Sequence, residues 1–413
     1  MSVTKSALKF YNGKLSNGLT IVGEERAGAV STAIGFFVKT GSRDESEEVA
    51  GVSHFLEHMM FKGTAQRSAL QITYDLAAIG AQANAFTSVE NTVYYAVVLP
   101  EYTENAFDIL GDMMRPALGQ DDFDTEKKVI LEEIALYQDR PSHILFEEAM
   151  RQFYLGNKVG ASVLGTTQSI TALSSEQMRE YFDRRYSPSN IVLTVTGAFE
   201  WDKIIELAEK NCGHWTGPQV ERVYQAHTPA PKIANLAKDG INTTHLSLIA
   251  PGPSIQSDDR YSMQLLSSMI GDSSGSRIFW SLIDKGLCDN SYLDVEEMDQ
   301  TGMIYAYASC SPDKLDEVRS ILKQILSSPM EFSDEDLERA KTKVRTRLVL
   351  QGESTMRRLT GVGMEWLYEG TYTTLEEELA RYASVNRSSI ADAVSRYPLF
   401  PLTEVVLSPA SAI

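Results

Sequence analysis

Cysteine is scarce in this sequence, and the few that occur are far apart. There are three cysteines among 413 residues, at Cys212, Cys288 and Cys310. Three thiols at these separations are too few for a disulfide framework or a thiolate metal site. The scarcity fits a reducing compartment, or a protein whose fold is indifferent to redox state.

Long apolar runs and an excess of positive charge are also missing. No stretch approaches the roughly 18 to 20 apolar residues of a membrane span, and residues 1–19 have no apolar signal core behind a basic end. We therefore expect a cytoplasmic protein outside the membrane, with the periplasm or an organelle left open.

Lysine and arginine number 38 against 56 acidic residues, a net charge of −18. This charge repels nucleic acid and anionic membranes and favours a basic or unfolded polypeptide as partner.

What the sequence does contain is the segment HFLEH, His54–His58. On a helix, positions i, i+3 and i+4 lie on one face, so both imidazoles and the Glu57 carboxylate would point the same way. Two neutral imidazoles one turn apart can bind one zinc ion, and the carboxylate can then act as a base toward water. An isolated match of this length also fits ordinary polar residues on a half-exposed helix, so other residues must decide between the two interpretations.

The hydrophobic pattern predicts a mixture of strands and helices, and 413 residues predict two to four domains at about 100 to 200 residues each. The predicted elements are two strands within 18–40, helices at about 50–62 and 68–79, a hairpin over 82–87 and 92–99, helices at about 101–115 and 121–139, and a strand at 190–197. Strands and helices in this order indicate an α+β fold.

A third metal ligand is expected from the helix predicted at 121–139. Glu126 and Glu133 are seven residues apart and differ by only about 20° around that helix, on its apolar side, whereas Glu132 points about 100° away. A carboxylate on a buried face is costly unless it is paired or bound to metal. We therefore predict that Glu133 is the ligand and that Glu132 is a solvated surface acid.

Three linked segments together resemble one protein family. They are HFLEHMMFKGT (54–64), NAFTSVENTVYYA (84–96) and EKKVILEEI (126–134). At these separations they resemble the pitrilysin and mitochondrial processing peptidase family of zinc proteases with the inverted H-x-x-E-H motif, the inverzincins. The likeness is greatest to its short bacterial-type processing peptidases. In that family the zinc glutamate lies seventy-odd residues beyond the second histidine, and here Glu133 follows His58 by 133 − 58 = 75 residues.

The resemblance implies a zinc metalloendopeptidase that acts on peptides inside a chamber enclosed by paired halves. It implies one Zn²⁺ per chain, held by His54, His58 and Glu133, with Glu57 activating the attacking water. Two other classes stay open. A structural or assembly subunit of the same fold, such as the family's respiratory-complex core proteins, would normally lack the intact motif. A zinc hydrolase of non-peptide amides would keep the metal and would need no peptide-binding strand.

The resemblance also implies roles for residues around the metal. Asn84, Ala85 and Phe86 match the family's edge strand beside the zinc, which can bind an extended peptide by main-chain hydrogen bonds. An ordinary sheet edge is the alternative interpretation. Glu126 resembles the acid that supports a histidine ligand from behind, and a plain salt-bridged glutamate is its alternative.

The second half of the sequence repeats the pattern of the first. The segment that begins at Pro312 parallels the one that begins at Pro100. We predict a zinc-binding half at 1–215, a linker at 216–231 and a homologous half without metal at 232–413, each half a mostly antiparallel sheet flanked by helices. In this register the residues His54, Glu57, His58 and Glu133 correspond to Met263, Leu266, Ser267 and Arg347.

One segment departs from the family pattern. Self-sufficient members carry S-R-L-F-x-x-L-R-E-K-x-G-L-x-Y in the second half, and its later Arg and Tyr donate hydrogen bonds to the substrate carbonyl. Ser276–Asp289 fits this frame, but Ile283 stands at the Arg and, allowing one deleted residue, Asp289 stands at the Tyr. Tyr292 could replace the Tyr through a loop shift. In the family, zinc-bearing chains without the pair work beside a homologous subunit that has it, so we predict the catalytic subunit of a heterodimer, with a homodimer left open.

Overall fold

The computed structural model describes residues 8–412, and within them the chain forms eleven β-strands in two sheets and fourteen α-helices. The strands are β1 (Leu8–Lys14), β2 (Thr20–Arg26), β3 (Thr32–Val38), β4 (Gln82–Thr87), β5 (Thr92–Val98), β6 (Ile191–Gly197), β7 (Ile233–Lys238), β8 (Thr244–Pro251), β9 (Asn290–Met298), β10 (Thr301–Cys310) and β11 (Thr403–Pro409). The α-helices are α1 (Val52–Met59), α2 (Ala69–Ala78), α3 (Thr103–Met113), α4 (Gln120–Gln138), α5 (Pro141–Phe153), α6 (Thr167–Ala172), α7 (Ser175–Arg185), α8 (Trp201–Cys212), α9 (Asp259–Gly271), α10 (Leu315–Ser327), α11 (Asp334–Gly352), α12 (Thr355–Glu369), α13 (Leu375–Ser384) and α14 (Arg387–Arg396).

Both sheets are mostly antiparallel. The first has the order β1-β2-β6-β3-β5-β4, in which β2 and β6 are parallel and the other neighbours antiparallel. The second has the order β7-β11-β8-β10-β9, in which β7 and β11 are parallel. The central strands β3 and β6 are buried along their whole length, as expected for apolar runs covered on both faces. The predicted α+β class with two sheet-and-helix halves is confirmed.

Contacts divide the described chain into two compact units, and each unit takes a segment from the other half of the sequence. The first unit comprises the chain up to Ala135, Ala161–Val223 and Leu350–Tyr372. The second comprises Leu136–Gly160, Tyr224–Val349 and the chain from Thr373 onward. Helix α12 therefore belongs to the first unit and α5 to the second. The division at 216–231 stays a prediction about homologous halves of the sequence, because the compact units themselves are discontinuous.

Apolar side chains explain why α12 packs in the first unit. Leu359, Val362 and Leu367 of α12 are buried in a cluster that includes Phe37 of β3. Gly363 permits this close approach, because a Cβ at that position would collide with the Phe37 ring. Full burial of a large apolar side chain contributes roughly 1.5–3 kcal/mol, so three such residues hold the helix on the sheet.

The elements around the HFLEH motif lie close to their predicted positions. The motif helix runs over Val52–Met59 rather than 50–62. It begins after Gly51, whose φ of 91° lies in the left-handed region that favours glycine and ends any helical path from the preceding residues. The hairpin of β4 and β5 and the 19-residue helix α4 match the predicted ranges to within one residue.

The lengths and charges of the helices can be compared with what a membrane-spanning helix needs. Helices α4 and α11, each of 19 residues, are the longest in the described chain, and both carry charged side chains along their length. Within residues 8–412, no helix combines the length and the apolar character needed to cross a bilayer.

Candidate metal centre

Helix α1 presents the motif residues from a packed base. The Phe55 ring stacks on Phe123 of α4 with 4.7 Å between ring centroids, which brings α1 against the helix that carries Glu133. His54 is buried, whereas Glu57 and His58 are half-buried. The packing of α1 therefore directs its polar side chains toward α4 and the neighbouring strand β4.

A buried carboxylate holds the first turn of α1. The two carboxylate oxygens of Glu45 accept hydrogen bonds from the backbone N–H of Gly51 at 2.6 Å and of Ser53 at 2.7 Å. Burial raises the pKa of Glu45 to about 8 despite these two donors. The Ser53 hydroxyl also lies 2.7 Å from the Tyr181 hydroxyl of α7. The start of the helix is thus fixed next to His54.

His54, His58 and Glu133 form a cluster, which we call the metal centre. The Nε2 atoms of His54 and His58 lie 3.8 Å and 3.6 Å from Oε2 of Glu133. One ligand atom from each residue lies within 4.8 Å of the other two. The structure therefore brings together the three residues that the sequence predicts as ligands.

The spacing in the metal centre fits a zinc ion better than direct hydrogen bonds. An N–H···O bond joins atoms about 2.7–3.2 Å apart, which is shorter than the observed 3.6 and 3.8 Å. Nitrogen and oxygen ligands at about 2.0–2.2 Å from a tetrahedral zinc ion are themselves roughly 3.4 Å apart. Two imidazoles and a carboxylate are also a usual donor set for zinc, so these residues fit the ion.

His54 is held in the neutral form that a metal ion requires. Burial, and to a lesser extent the neighbouring His58, lower the pKa of His54 to about 4. A neutral imidazole keeps a lone pair for the metal at physiological pH. Its Nδ1 atom is buried and has no hydrogen-bond partner among residues 8–412.

Glu126 contacts Nδ1 of His58, the ring nitrogen on the side away from Glu133. One of its oxygens lies 2.8 Å from Nδ1 of His58, and the other lies 2.6 Å from Nζ of Lys62. Burial acts to raise the pKa of Glu126, but the hydrogen bonds from Lys62 and His58 outweigh it and leave the pKa lowered. An ionised Glu126 accepts the Nδ1 proton of His58, which leaves the Nε2 lone pair directed at Glu133.

Glu57 lies beside the metal centre and has a different partner. The Thr87 hydroxyl of β4 donates a hydrogen bond of 2.5 Å to Oε2 of Glu57. Desolvation raises the pKa of Glu57, and the Thr87 hydroxyl and His58 partly offset the rise. A carboxylate with a raised pKa is a better proton acceptor at neutral pH than an ordinary surface glutamate.

The two adjacent glutamates of α4 differ as their helical positions predict. Glu132 is exposed, whereas the Glu133 side chain is 27% exposed and faces the histidines. Phe123 and Ile130 are buried on the side assigned as apolar, but Val129 is 42% exposed. The buried stripe of α4 is therefore narrower than the sequence pattern suggests.

Strand β4 is the edge of the first sheet and passes beside α1. Asn84 is exposed, and its Oδ1 accepts a hydrogen bond of 2.9 Å from the Ala85 N–H. Because side chains alternate along a strand, Ala85 shares the face of Thr87, and Phe86 points the other way. The Phe86 ring packs against the apolar cluster beneath α12. Roles for Asn84, Ala85 and Phe86 in substrate binding stay predictions.

Three residues at the site were not singled out from the sequence. Thr87 follows Ala85 by two positions and so lies on the same strand face. Lys62 follows His58 by four positions, which is the spacing of one helical turn. Both signals were available in the sequence, whereas the contact of Glu45 with the start of α1 depends on how the chain folds back.

Ile283 and Asp289, which match the donor positions of the resemblance, and the nearby Tyr292 lie in the second unit. Ile283 ends a π-helical turn, Phe279–Ile283, and packs against the apolar core there. Asp289 is exposed, and its backbone N–H bonds to the Ser309 carbonyl at 2.9 Å. Tyr292 is half-buried on β9, with its ring stacked on Tyr307 at 5.2 Å between centroids.

Comparison with known proteins relates both halves of the chain to one group of peptidases. Residues 20–167 match the insulinase family (peptidase family M16), and residues 172–344 match the peptidase M16 inactive domain. The chain is 31% identical over 377 residues to the uncharacterized zinc protease YmxG of Bacillus subtilis, covering 90% of this chain and 91% of that protein. It is 30% identical over 412 residues to an uncharacterized zinc protease of Rickettsia felis, covering 97% and 98%.

Solved structures share the fold. A protease from Helicobacter pylori superposes with a TM-score of 0.89 at 19% identity, covering 97% of this chain and all of that one. A peptidase M16 inactive domain from Pseudomonas fluorescens superposes with a TM-score of 0.89 at 17% identity, covering 97% and 98%. At these identities the likeness concerns the fold alone.

Proposed function

Because the chain belongs to peptidase family M16, we propose that it is a zinc-dependent endopeptidase that hydrolyses peptides or unfolded polypeptide segments. The observation that supports this best is the convergence of His54, His58 and Glu133 on one point, with Glu57 beside them. Relatives over nearly the whole chain length are named zinc proteases, which agrees with the choice of metal.

The roles of the residues follow from their positions. His54, His58 and Glu133 hold the ion, which when bound supplies Lewis acidity toward a carbonyl oxygen and toward water. Glu57 takes a proton from the attacking water and passes it to the leaving amine. Thr87 holds the Glu57 carboxylate, and Glu126 orients His58. The contacts of Thr87 with Glu57 and of Glu126 with His58 are short, at 2.5 Å and 2.8 Å.

The substrate class is inferred from strand β4 and from charge. An exposed sheet edge can pair with an extended peptide through main-chain hydrogen bonds, which tolerates many sequences. Asn84 and Ala85 lie on this edge. The net charge of −18 favours basic or unfolded polypeptides. Cleavage inside an enclosed chamber, as the family resemblance implies, is part of the proposal.

We further propose that the active form contains a homologous partner subunit. Ile283 and Asp289 offer neither a guanidinium nor a phenol at the positions where self-sufficient family members have both. One hydrogen-bond donor to a developing oxyanion contributes about 10²–10³ in kcat. A partner that carries the Arg and the Tyr would restore these donors.

The partner proposal is tested by comparing the purified chain with a co-expressed pair. Alone, the chain should bind zinc and cleave a reporter peptide slowly. With a homologous chain that carries the Arg and Tyr, the rate should rise by about 10²-fold or more. Full activity of the lone chain, unchanged by Tyr292→Phe, would contradict the proposal. A large loss in Tyr292→Phe would instead assign the missing donor to this chain.

The proposed chemistry is tested by Glu57→Gln. The variant should keep its zinc content and lose about 10²–10⁴ in kcat, because it loses the base and keeps every ligand. Zinc analysis and peptide digestion are run on the same preparation. Glu132→Gln is the matched control and should retain both properties. A Glu57→Gln variant with zinc bound and near-normal turnover would contradict the assignment of Glu57 as the base.

Two other functions predict different results in the same experiments. A non-catalytic assembly subunit would show no peptide cleavage with or without a partner, although its intact set of His54, Glu57, His58 and Glu133 argues against this class. A hydrolase of non-peptide amides would cleave small amides and leave a peptide library intact. The reverse preference supports the peptidase.

A further inference from the structure

A cavity of about 270 Å³ lies in the second unit between α9, β9 and α11. Its wall includes Ser267 of α9, Tyr292, Leu293 and Asp294 of β9, and Arg347 of α11. Pockets for drug-sized ligands span about 300–1,000 Å³, so an occupant of this cavity must be smaller. We call it the second-half cavity.

The second-half cavity occupies the place in its half that the metal centre occupies in the first. Arg347 is the fourteenth residue of α11, as Glu133 is the fourteenth residue of α4. Tyr292 pairs with Tyr307, five residues before Pro312, as Asn84 pairs with Tyr95, five residues before Pro100. Asp294 accordingly stands at the position of Phe86 in the first half, on the same strand face as Tyr292, and lines the cavity from the edge strand β9.

The substitutions exclude a second metal centre at this place. Methionine and serine, at Met263 and Ser267, replace the two imidazoles of the first half. Arg347 replaces the acidic ligand, and its permanent positive charge repels a metal cation. Ser267 is also engaged, because its hydroxyl donates to the Leu293 carbonyl at 2.6 Å. The chemistry of the second-half cavity must therefore differ from that of the metal centre.

Two exposed side chains of opposite charge, Arg347 and Asp294, line the second-half cavity. Within residues 8–412 neither forms a direct hydrogen bond or ion pair, and the two charges act on each other through space. Partial desolvation raises the pKa of Asp294, although the Arg347 charge acts in the opposite direction. By contrast, the nearby charges of Lys343 and Asp272 are paired with each other at 3.1 Å. Asp272 also accepts a hydrogen bond of 2.7 Å from the Ser273 N–H.

We propose that the second-half cavity binds a small zwitterion, namely a free amino acid or a dipeptide, with its carboxylate at Arg347 and its ammonium group at Asp294. An arginine fork matches a carboxylate with two parallel hydrogen bonds, and an aspartate matches an ammonium group. The size limits the ligand to about one or two residues. This inference does not depend on peptidase activity, although short peptides are also what such an activity would release.

The test is calorimetric titration of the full-length chain with alanyl-leucine. Two blocked forms, N-acetyl-alanyl-leucine and alanyl-leucinamide, each remove one charge of the zwitterion. We expect the free dipeptide to bind and each blocked form to bind at least tenfold more weakly. Equal affinity of a blocked form and the free dipeptide would overturn the assignment of the corresponding charge.

Variants locate the binding site. Arg347→Gln and Asp294→Asn should each weaken alanyl-leucine binding at least tenfold, and Arg345→Gln, on the same helix but outside the cavity lining, should leave it unchanged. Thermal unfolding of each variant checks that the fold is retained. The titration is repeated after chelation of zinc, and equal affinities support a site separate from the metal centre.

Two results would overturn the proposal: affinity that survives both Arg347→Gln and Asp294→Asn, or affinity that disappears on chelation. A chain that binds the dipeptide and cleaves no peptide, alone or with a homologous partner, would refute the proposed function and leave this inference standing.

Discussion

The metal centre of the first half and the second-half cavity are built on the same scaffold and have different chemistry. Each lies where a buried helix, an edge strand and a 19-residue helix meet, namely α1, β4 and α4 in one and α9, β9 and α11 in the other. The first collects two imidazoles and a carboxylate, and the second an arginine, a serine and an aspartate. The comparison teaches that the fold supplies the position and that a few side chains set the chemical character of the site.

The difference extends to the residues behind the ligands. Glu126, the seventh residue of α4, supports His58, and the seventh residue of α11 is the buried Ala340. Lys62, which pairs with Glu126, corresponds to Gly271 in the register of the two halves. The second half therefore lacks both the histidine and the carboxylate that contacts it in the first half.

The largest difference between the two sites is expected when glutamine replaces Glu133 in the first half and Arg347 in the second. Glu133→Gln should empty the metal centre and abolish peptide cleavage, because an amide is a much weaker zinc ligand than a carboxylate. Arg347→Gln should keep zinc and activity. Metal analysis and a peptide assay on both variants measure the contrast. Loss of zinc in Glu132→Gln with retention in Glu133→Gln would show that the neighbouring acid is the ligand.

A smaller effect is expected from the support behind His58. Glu126→Gln should lower zinc affinity or activity by about 10–100-fold, because His58 loses the carboxylate that accepts its Nδ1 proton. Competition with a fluorescent zinc chelator measures the affinity. Ala340→Ser, at the matching position of α11, is the control and should leave zinc affinity unchanged. If Glu126→Gln keeps the zinc affinity of the wild type, the role of Glu126 is limited to its salt bridge with Lys62.

A still smaller effect is expected from the strand beside the base. Thr87→Val should lower kcat by roughly five- to tenfold, the effect of losing one hydrogen bond worth about 1 kcal/mol to Glu57. Thr87→Ser keeps the hydroxyl and should recover most of the rate, whereas KM should change little in either variant. Val295 stands at the matching position of β9, so valine is a side chain that this scaffold accepts. An equal loss in both variants would indicate a packing effect instead.

The smallest effect on activity, and a defined effect on stability, is expected at Glu45. Its pKa is about 8 in the folded protein against 4.5 for the ordinary side chain. Between these values the folded protein holds a proton that the unfolded chain has lost, so the free energy of unfolding falls as the pH rises from 4.5 to about 8. The stabilisation is fully present below the lower value.

Glu45→Gln should remove that part of the pH dependence. Denaturant unfolding of wild type and variant at several pH values measures the difference between the two slopes. At the start of helix α9 the first-turn acid is paired instead, because Asp259 forms an ion pair with Arg396 and its N–H donates to the Ser257 hydroxyl. Parallel pH profiles for wild type and Glu45→Gln would contradict the raised pKa.

Much of the metal centre could be predicted from the sequence because its geometry is local. His54, Glu57 and His58 share a face through the helical repeat alone, and the same repeat separates Glu133 from Glu132. The register between the halves likewise predicted that Arg347 stands at the position of Glu133. These inferences need only the periodicity of one helix and a sequence spacing, so they do not require knowledge of how helices and sheets pack.

Only the tertiary structure decided which elements cover each other. Periodicity identifies the apolar face of α12, but it does not say that Leu359 and Val362 pack on the first sheet rather than on the second. The contact of Thr87 with Glu57, the capping of α1 by Glu45 and the cavity beside Arg347 also join residues from separate elements. The reason is physical. The sequence by itself determines which side of an element avoids water, and burial by any suitable partner satisfies that requirement, so the choice of partner comes from packing the whole chain.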